Sequence, residues 1–568
     1  MSSYRAHKTS EKWVIADFET TTKEFYDKYG YTKVWLWAIA DSEGNAKAHG
    51  PDIDSFMKYC HDWLKGYTIY FHNLRFDGSF ILNWLMTHNY KYVDRIDRNN
   101  SLTYSTLISD MGQWYSLDIV FSSRCNVRII DSLKLIPSSV AKIAKDFDLG
   151  DDMQKLKIDY NDYTIDEDRL EYVFHDVIII SKALQQVKAE GMLNMTTASC
   201  AYHNYKDMCG KQFNKYFPPL EEQFLMDWRK AYRGGRSQVN PRFAEKVQYN
   251  VKRYDVNSMY PHIMRNLPLP YGQPVSINKI GEFKFELYKI NVMFKLKKGH
   301  LPTLLKKTHT FGSGTYYEDL DDITEIYISN IDYMLLLRHY DIIYIEFVEM
   351  WGFTCVTGVF KRYVDYWYEI KSTCRGAKRN VAKLMLNSLY GKFGSNPISD
   401  SKIAKLGDDG LEFELIKGTE FKSYYLPVAI AITSWAHKII DDAIMATGYD
   451  KFIYCDTDSV HTLGTLPLEM IDNKELGKFK LEGVEDISKY IRQKCYIYGE
   501  RDENGILNFN ITCAGMNEAS KQYAIQTEGA NIINIFNYGY EVVGTKLLPR
   551  QVKGGVILEP TNFRLRRI

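Results

Sequence analysis

Apolar residues along this chain fall into short blocks that end abruptly in acids, and the blocks predict its elements. Trp13-Val14-Ile15-Ala16 runs into Asp17-Phe18-Glu19-Thr20, a strand whose two acids, at i and i+2, share one face. Tyr67 to Phe71 is a second strand, followed by a polar turn (His72, Asn73, Phe76, Asp77) and a helix from Ser79 to Met86. Thr164-Ile165-Asp166-Glu167 has the form of a capping box and starts a helix that runs to about Glu190, with Gly191 as its stop. Tyr172 and Asp176, four apart, stand on one side of that helix. Further on, Tyr254-Asp255-Val256 closes an apolar strand, and Pro261 prevents a simple helical continuation. The segment Phe452-Ile453-Tyr454-Cys455-Asp456-Thr457-Asp458-Ser459-Val460 reads as strand, tight turn and returning strand, with Asp456 and Asp458 on one face.

Between these blocks the pattern changes character. Lys371, Arg375, Arg379, Lys383, Asn387 and Tyr390 recur every three or four residues and predict one basic helix from Lys371 to Lys392, without an acid in it. Two alternating runs around Asp408-Asp409-Gly410 predict a hairpin. Gly234 and Gly235, preceded by Tyr232 and flanked by Arg233 and Arg236, break a helical pattern and allow close approach to a partner such as a phosphate backbone. Lys494 and Tyr496 fall on one face of a strand.

Composition narrows the setting. A chain of 568 residues exceeds one core, so several domains are expected. A net charge of +1 means that any surface for nucleic acid must be local. The nine cysteines show no C-x-x-C pairing, which argues against a zinc or disulfide framework and fits a reducing cytoplasm. No apolar run nears the ~18 residues of a membrane span, and the polar start (Met1 to Lys8) has no signal core. A P-loop segment is absent, which speaks against a motor or helicase.

Two acids held side by side between apolar strands are costly unless a cation neutralises them, and hard oxygen ligands suit Mg²⁺. A lone Asp-x-Asp is more often a solvated turn, and any single acid is more often a cap or a surface charge. As a set, Asp17, Glu19, Asp77 and Asp176 can hold two divalent ions for phosphodiester hydrolysis, with Tyr172 orienting the water. The basic stripe suits a triphosphate.

Asp-Phe-Glu, Asn-Leu-Arg-Phe-Asp and Tyr-x-x-x-Asp resemble the three exonuclease motifs of proofreading family B DNA polymerases. Tyr232-x-Gly234-Gly235, Asp255-Val256-Asn257-Ser258-Met259-Tyr260-Pro261, Lys383-x-x-x-Asn387-Ser-x-Tyr390-Gly, Tyr454-Cys-Asp-Thr-Asp-Ser and Lys494-x-Tyr496 resemble that family's polymerase motifs in order. The chain is similar throughout to the protein-primed polymerases of Bacillus phages of the phi twenty-nine type. The resemblance implies an α/β multidomain fold: an RNase H-like 3′→5′ exonuclease domain (1–190), then a right hand. Its parts are palm (191–261 and 428–522), an insertion that binds a terminal protein (262–359), fingers (360–393), a hairpin insertion for processivity and strand displacement (394–427) and thumb (523–568).

The resemblance also implies site residues. Asp255, Asp458 and the Val256 carbonyl hold two Mg²⁺, with Mn²⁺ able to substitute, and Asp456 supports them. Tyr260, Lys371, Lys383, Asn387 and Tyr390 bind the incoming dNTP. Asp17, Glu19, Asp77 and Asp176 hold the exonuclease metals, with Tyr172 and Lys155 assisting. Thr20, His72, Asn73, Phe76, Ser132 and Leu133 hold single-stranded DNA. Tyr232, Gly234, Gly235, Thr433, Lys494 and Tyr496 contact primer-template DNA. Thr433-Ser434-Trp435-Ala436-His437 resembles a motif that ends in Arg, so a phosphate contact at His437 is in doubt. The expected protein is a monomeric replicative DNA polymerase of a linear viral genome in a bacterial host's cytoplasm. A DNA-primed polymerase without terminal protein, and a nuclease or DNA-binding protein with an inactive polymerase half, are the competing readings.

Overall fold

A computed structural model describes residues 12–567 apart from 151, 152, 154, 155, 157, 158, 160 and 307–315, with the backbone alone at 545. Lys155 lies outside the described residues.

The block Trp13–Thr20 is an inner strand of an eight-stranded sheet. The strand order is Ala46–Gly50, Val34–Asp41, Trp13–Thr20, Thr68–Phe71, Cys125–Asp131, Trp114–Ser122, Thr103–Ile108 and Lys91–Tyr92. Alternation along the strand divides its side chains between two layers. Val14, Ala16 and Phe18 pack with Phe56, Leu74 and Phe80 of the helices Ile53–Trp63 and Leu74–Thr87. Trp13 and Ile15 pack with Val173, Val177 and Ile180 of the helix Glu167–Ala189. Asp17 and Glu19 continue that second face, so the pleat aims both acids toward the helix that carries Tyr172 and Asp176.

A second sheet is wholly antiparallel and draws its strands from distant parts of the chain. Its order is Leu507–Cys513, Cys495–Arg501, Phe479–Arg492, Val247–Val256, Ser459–Thr462, Phe452–Asp456 and Ser237–Val239. The helix Leu426–Thr447 supports it and is buried along most of its 22 residues, as its apolar composition requires. Residues between Val256 and Lys361 insert a four-stranded sheet (Val275–Ser276, Tyr340–Phe353, Phe285–Leu296, Leu320–Ser329) and the helix Asn330–His339.

Four expectations are corrected. The long helix is capped by Asp166, whose carboxylate accepts the Arg169 N–H at 2.9 Å, and not by a capping box at Thr164. Asp77 stands in the first turn of a helix that begins at Leu74, five residues early; Asn73 at the cap makes no side-chain capping bond, so the usual start signal is missing. The basic stripe is not one helix but two, Lys361–Thr373 and Gly376–Phe393, broken where Gly376 takes a left-handed φ of +56°. Lys494 occupies a turn with φ +53°, so it does not share a strand face with Tyr496.

Two hairpins, Ser401–Gly407/Gly410–Ile416 and Glu541–Val552/Gly555–Arg564, both reach the first sheet. Ala404 and Leu411 of one and Val556 of the other are buried in the cluster that holds Phe80 and Trp114. At the second tip, Thr32 N–H donates to the Lys553 carbonyl (3.0 Å) and Gln551 Nε2 to Ser79 Oγ (3.0 Å). Gly554, at φ +94°, lies where a Cβ would stand 2.1 Å from the Thr32 carbonyl oxygen. Gly554→Ala is therefore expected to weaken this docking by on the order of 1–3 kcal/mol. Faster amide exchange at Thr32 with unchanged exchange in the Leu426–Thr447 helix is the expected reading.

Candidate functional site

Asp255 lies opposite Ser459 in the strand pairing, and the Val256 N–H donates to the Asp458 carbonyl at 2.8 Å. This register brings two acids more than 200 residues apart in sequence onto one edge of the sheet. Burial, Asp458 and Glu482 raise the Asp255 carboxyl to about 7, against the pull of Lys480 and Lys371. Burial and Asp456 also raise Asp458, against Lys494. Asp456 is differently placed: Lys494 Nζ is 3.3 Å from its Oδ2, and the Tyr454 and Thr457 hydroxyls donate to it.

The turn between these acids is strained. Thr457 has φ +59°, a conformation that a β-branched residue rarely adopts and that costs on the order of 1–3 kcal/mol. It is held from behind, because its N–H donates to the Arg236 carbonyl at 2.7 Å. Gly235 makes that approach possible, since a Cβ there would stand 2.7 Å from Thr457 Oγ1. The arginines around the glycines do not face a partner. Arg233 is buried and donates to the Leu305 and Tyr327 carbonyls, and Arg236 is buried against Asp441 and Gln238.

The two basic helices close over this edge as a hairpin, which regroups the stripe that the break divides. Lys371 Nζ donates to Ser258 Oγ at 2.7 Å. Burial, Lys383 and Arg379 lower its pKa, while Asp255 raises it. Lys383 and Asn387 are exposed on the second helix. Tyr260 and Tyr390 stack at 4.1 Å and 27°. Tyr232 adjoins them; burial first, then Tyr390, raises its hydroxyl to about 12.

The second acid set gathers across the first sheet. Asp77 is buried, and burial, then Asp17, with Glu19 and Asp131 adding, raises its carboxyl well above the usual range. A cavity of about 160 Å³ is lined by Asp17, His72 and Asp176. Tyr172 is buried one turn before Asp176. Thr20 and Phe76 are partly exposed and Asn73 is exposed at its helix start.

Two expected DNA contacts are turned inward instead. Ser132 is fully buried; its hydroxyl donates to the Phe71 carbonyl and meets His72 Nδ1, while Leu133 beside it keeps partial exposure. Thr433 is buried and its hydroxyl bonds back to Ala429 and Ile430 of its own helix. His437 is buried too, between Asp332 Oδ1 (2.9 Å) and the Gly234 carbonyl (2.6 Å). Asp131 was missed. It ends an apolar strand as Asp17 does, and it accepts the Asn73 and Leu133 N–H groups at 3.0 Å each.

Among the described residues no three His, Cys, Asp or Glu side chains form a ready-made metal cage. Divalent cations fit nonetheless. A carboxyl raised by burial and by neighbouring acids, as Asp255 and Asp77 are, needs a counter-charge. At the first site the paired carboxylates leave positions for substrate oxygens, the usual manner of Mg²⁺.

Paired acids on an antiparallel palm beneath a basic helical hairpin, joined to an RNase H-like sheet with its own acids, define a nucleic-acid polymerase carrying a nuclease. A family model described as DNA polymerase type B, organellar and viral, matches residues 64–163 and 152–475. The DNA polymerase of Bacillus phage Nf is 36% identical over 98% of this chain and 100% of its own length. That of Bacillus phage phi29 is 35% identical over 98% and 99%. A solved phi29 DNA polymerase, complexed with primer-template DNA and incoming nucleotide substrates, superposes with a TM-score of 0.88 at 35% identity, covering 98% of this chain and 100% of that one. The chain belongs to the organellar and viral type B DNA polymerases. It is a DNA-directed DNA polymerase of the phi29 type, a group in which 3′→5′ exonuclease activity is part of the enzyme, and it depends on divalent metal.

The Asp255 carboxyl titrates near 7 when folded and near about 4 when unfolded, so the folded state holds the extra proton between those values. Its contribution to stability is present below about pH 4 and lost as pH rises through about 7. In EDTA, denaturant melts of wild type should lose stability over that window relative to Asp255→Asn.

Proposed function

We propose that residues 1–190 remove mispaired primer ends and that the remaining chain extends the primer, with the palm, insertion, fingers, hairpin and thumb boundaries given by the sequence. The single observation that carries the polymerase site is the strand register that sets Asp255 against Asp458. These two carboxylates and the Val256 carbonyl would hold two Mg²⁺ ions. When bound, the ions supply Lewis-acid stabilisation of charge on the α-phosphate under attack by the primer 3′-hydroxyl. Lys371 and Lys383 neutralise the triphosphate as pyrophosphate leaves. Tyr390 stacks on the nascent pair, and Tyr260 under the sugar excludes a 2′-hydroxyl. Asp456, paired with Lys494, orients that lysine toward the primer end. Tyr232, Gly234 and Tyr496 line the path of primer-template DNA.

In the exonuclease half, Asp17, Glu19, Asp77 and Asp176 would hold the metals and Tyr172 would orient water. Asn73, His72, Phe76, Thr20 and Leu133 would receive the frayed strand by stacking and polar contact. The two hairpins, docked on the first domain, would enclose product DNA and favour strand displacement. The insertion would bind a terminal protein as primer, and the enzyme would work as a monomer on a linear viral genome in the host cytoplasm.

Primer extension and single-strand hydrolysis are to be measured together. Asp458→Ala should lose extension by at least about a thousandfold and retain hydrolysis, and Asp17→Ala/Glu19→Ala should do the reverse. Extension that survives Asp458→Ala removes the metal-site assignment. Separately, a candidate terminal protein from the same genome should become nucleotidylated with template but no oligonucleotide; extension confined to DNA primers would rule out protein priming.

A further inference from the structure

Two buried ion clusters take no part in the mechanism above, and both begin on the inserted helix Asn330–His339. In one, His437 bridges Asp332 and the Gly234 carbonyl. Both ring nitrogens face oxygens, and the Asp332 carboxyl is held below its usual range, since His437 and Arg233 outweigh its burial. In the other, Asp441, with no exposed side-chain surface, accepts from Arg236 Nη1 (2.9 Å) and Arg338 Nη1 (2.7 Å) and lies 3.0 Å from His339 Nε2. Arg236 also donates from Nε and Nη2 to Gln238 Oε1 (3.3 and 3.1 Å).

The clusters cross the Leu426–Thr447 helix and end on one short stretch, Gly234 to Arg236. That stretch is the support of the strained turn: the Arg236 carbonyl takes the Thr457 N–H, and Gly235 packs on the Thr457 side chain. Well-packed apolar residues commonly match or exceed a buried ion pair in stability, so stability alone does not account for charges here. A guanidinium held at three nitrogens by two acceptors is fixed in orientation, which apolar packing does not achieve.

We propose that Arg236 and Asp441 are positioning residues for nucleotidyl transfer: their pairing fixes the Arg236 carbonyl, which pins the Thr457 turn and sets Asp458 against Asp255. This rests on the assignment of Asp458 to the polymerase site. Both side chains are buried and present almost no surface to DNA or nucleotide. Through Arg338 and His339 the same network ties the insertion to the catalytic turn.

The test uses the full chain at a temperature where each variant is folded, with single-strand hydrolysis counting competent molecules. Single-turnover extension is followed against dNTP concentration for Asp441→Asn, Arg236→Lys and the double variant Arg236→Met/Asp441→Leu, which removes both charges of that pair while Arg338 keeps Asp442 as a partner. Asp441→Asn and the double variant should lower the saturated extension rate by about 10- to 100-fold. Half-saturation by dNTP should stay within roughly threefold, and hydrolysis should be unchanged. Arg236→Lys should lose less. Normal extension per hydrolysis-competent molecule in the double variant, whatever its Tm, overturns the proposal. If Asp441→Asn does not fold, the double variant decides alone. Asp458→Asn separates the two levels: if it extends normally, the site assignment falls; if it is inactive while the double variant is normal, only the positioning role falls.

Discussion

Two carboxylates that repel each other must be held on one edge of a sheet, and a strained turn does the holding. Thr457 sits at a positive φ between Asp456 and Asp458, and nothing in its own sequence favours that state. It persists because neighbours over-determine it: the Arg236 carbonyl on its N–H, Gly235 against its side chain, and the pairing of Asp456 with Ser237 and Ser459. Such strain requires a rigid background. The buried helix Leu426–Thr447 and the antiparallel sheet supply it.

The two acid sets share a logic with different hardware. Around Asp255 and Asp458, two hairpin-related strands and a basic helical hairpin meet, and lysines face the acids they offset. At the other site, the pleat of one strand sends Asp17 and Glu19 toward a helix, and Asp77 is buried among like charges. In both, burial and neighbouring acids raise one carboxyl, Asp255 in the first and Asp77 in the second, which fits a divalent cation as counter-charge. Asp131 adds a further carboxylate at the second site while it also caps a turn and fixes Asn73.

The docked hairpins bring parts of the chain far apart in sequence together around these sites. Gly410 of one lies where a Cβ would meet the Val552 backbone of the other at 2.8 Å, and both bury side chains in the core of the first domain. The contact of Gln551 with Ser79 alone spans 472 residues of sequence. Such contacts join the first sheet and its helices to both hairpins without a covalent link near the contact.

By itself the sequence determined the acids, their strands and the order of the motifs, because period-2 blocks ending in Asp or Glu are local patterns. It also determined the hairpin at Asp408-Asp409-Gly410, where turn chemistry and alternation agree. Burial and partnership were decided only by the tertiary structure. Arg233, Arg236, Thr433 and Ser132 read as polar groups open to DNA, and the fold turned each inward; His437, where an Arg was expected, is buried as well. Spacing could not reveal that Gly376 breaks the basic stripe into two helices, nor that packing of those helices would bring Lys371 and Lys383 together again. The opposed acids Asp255 and Asp458 mark the same division: each is visible locally, but only strand register makes them a site.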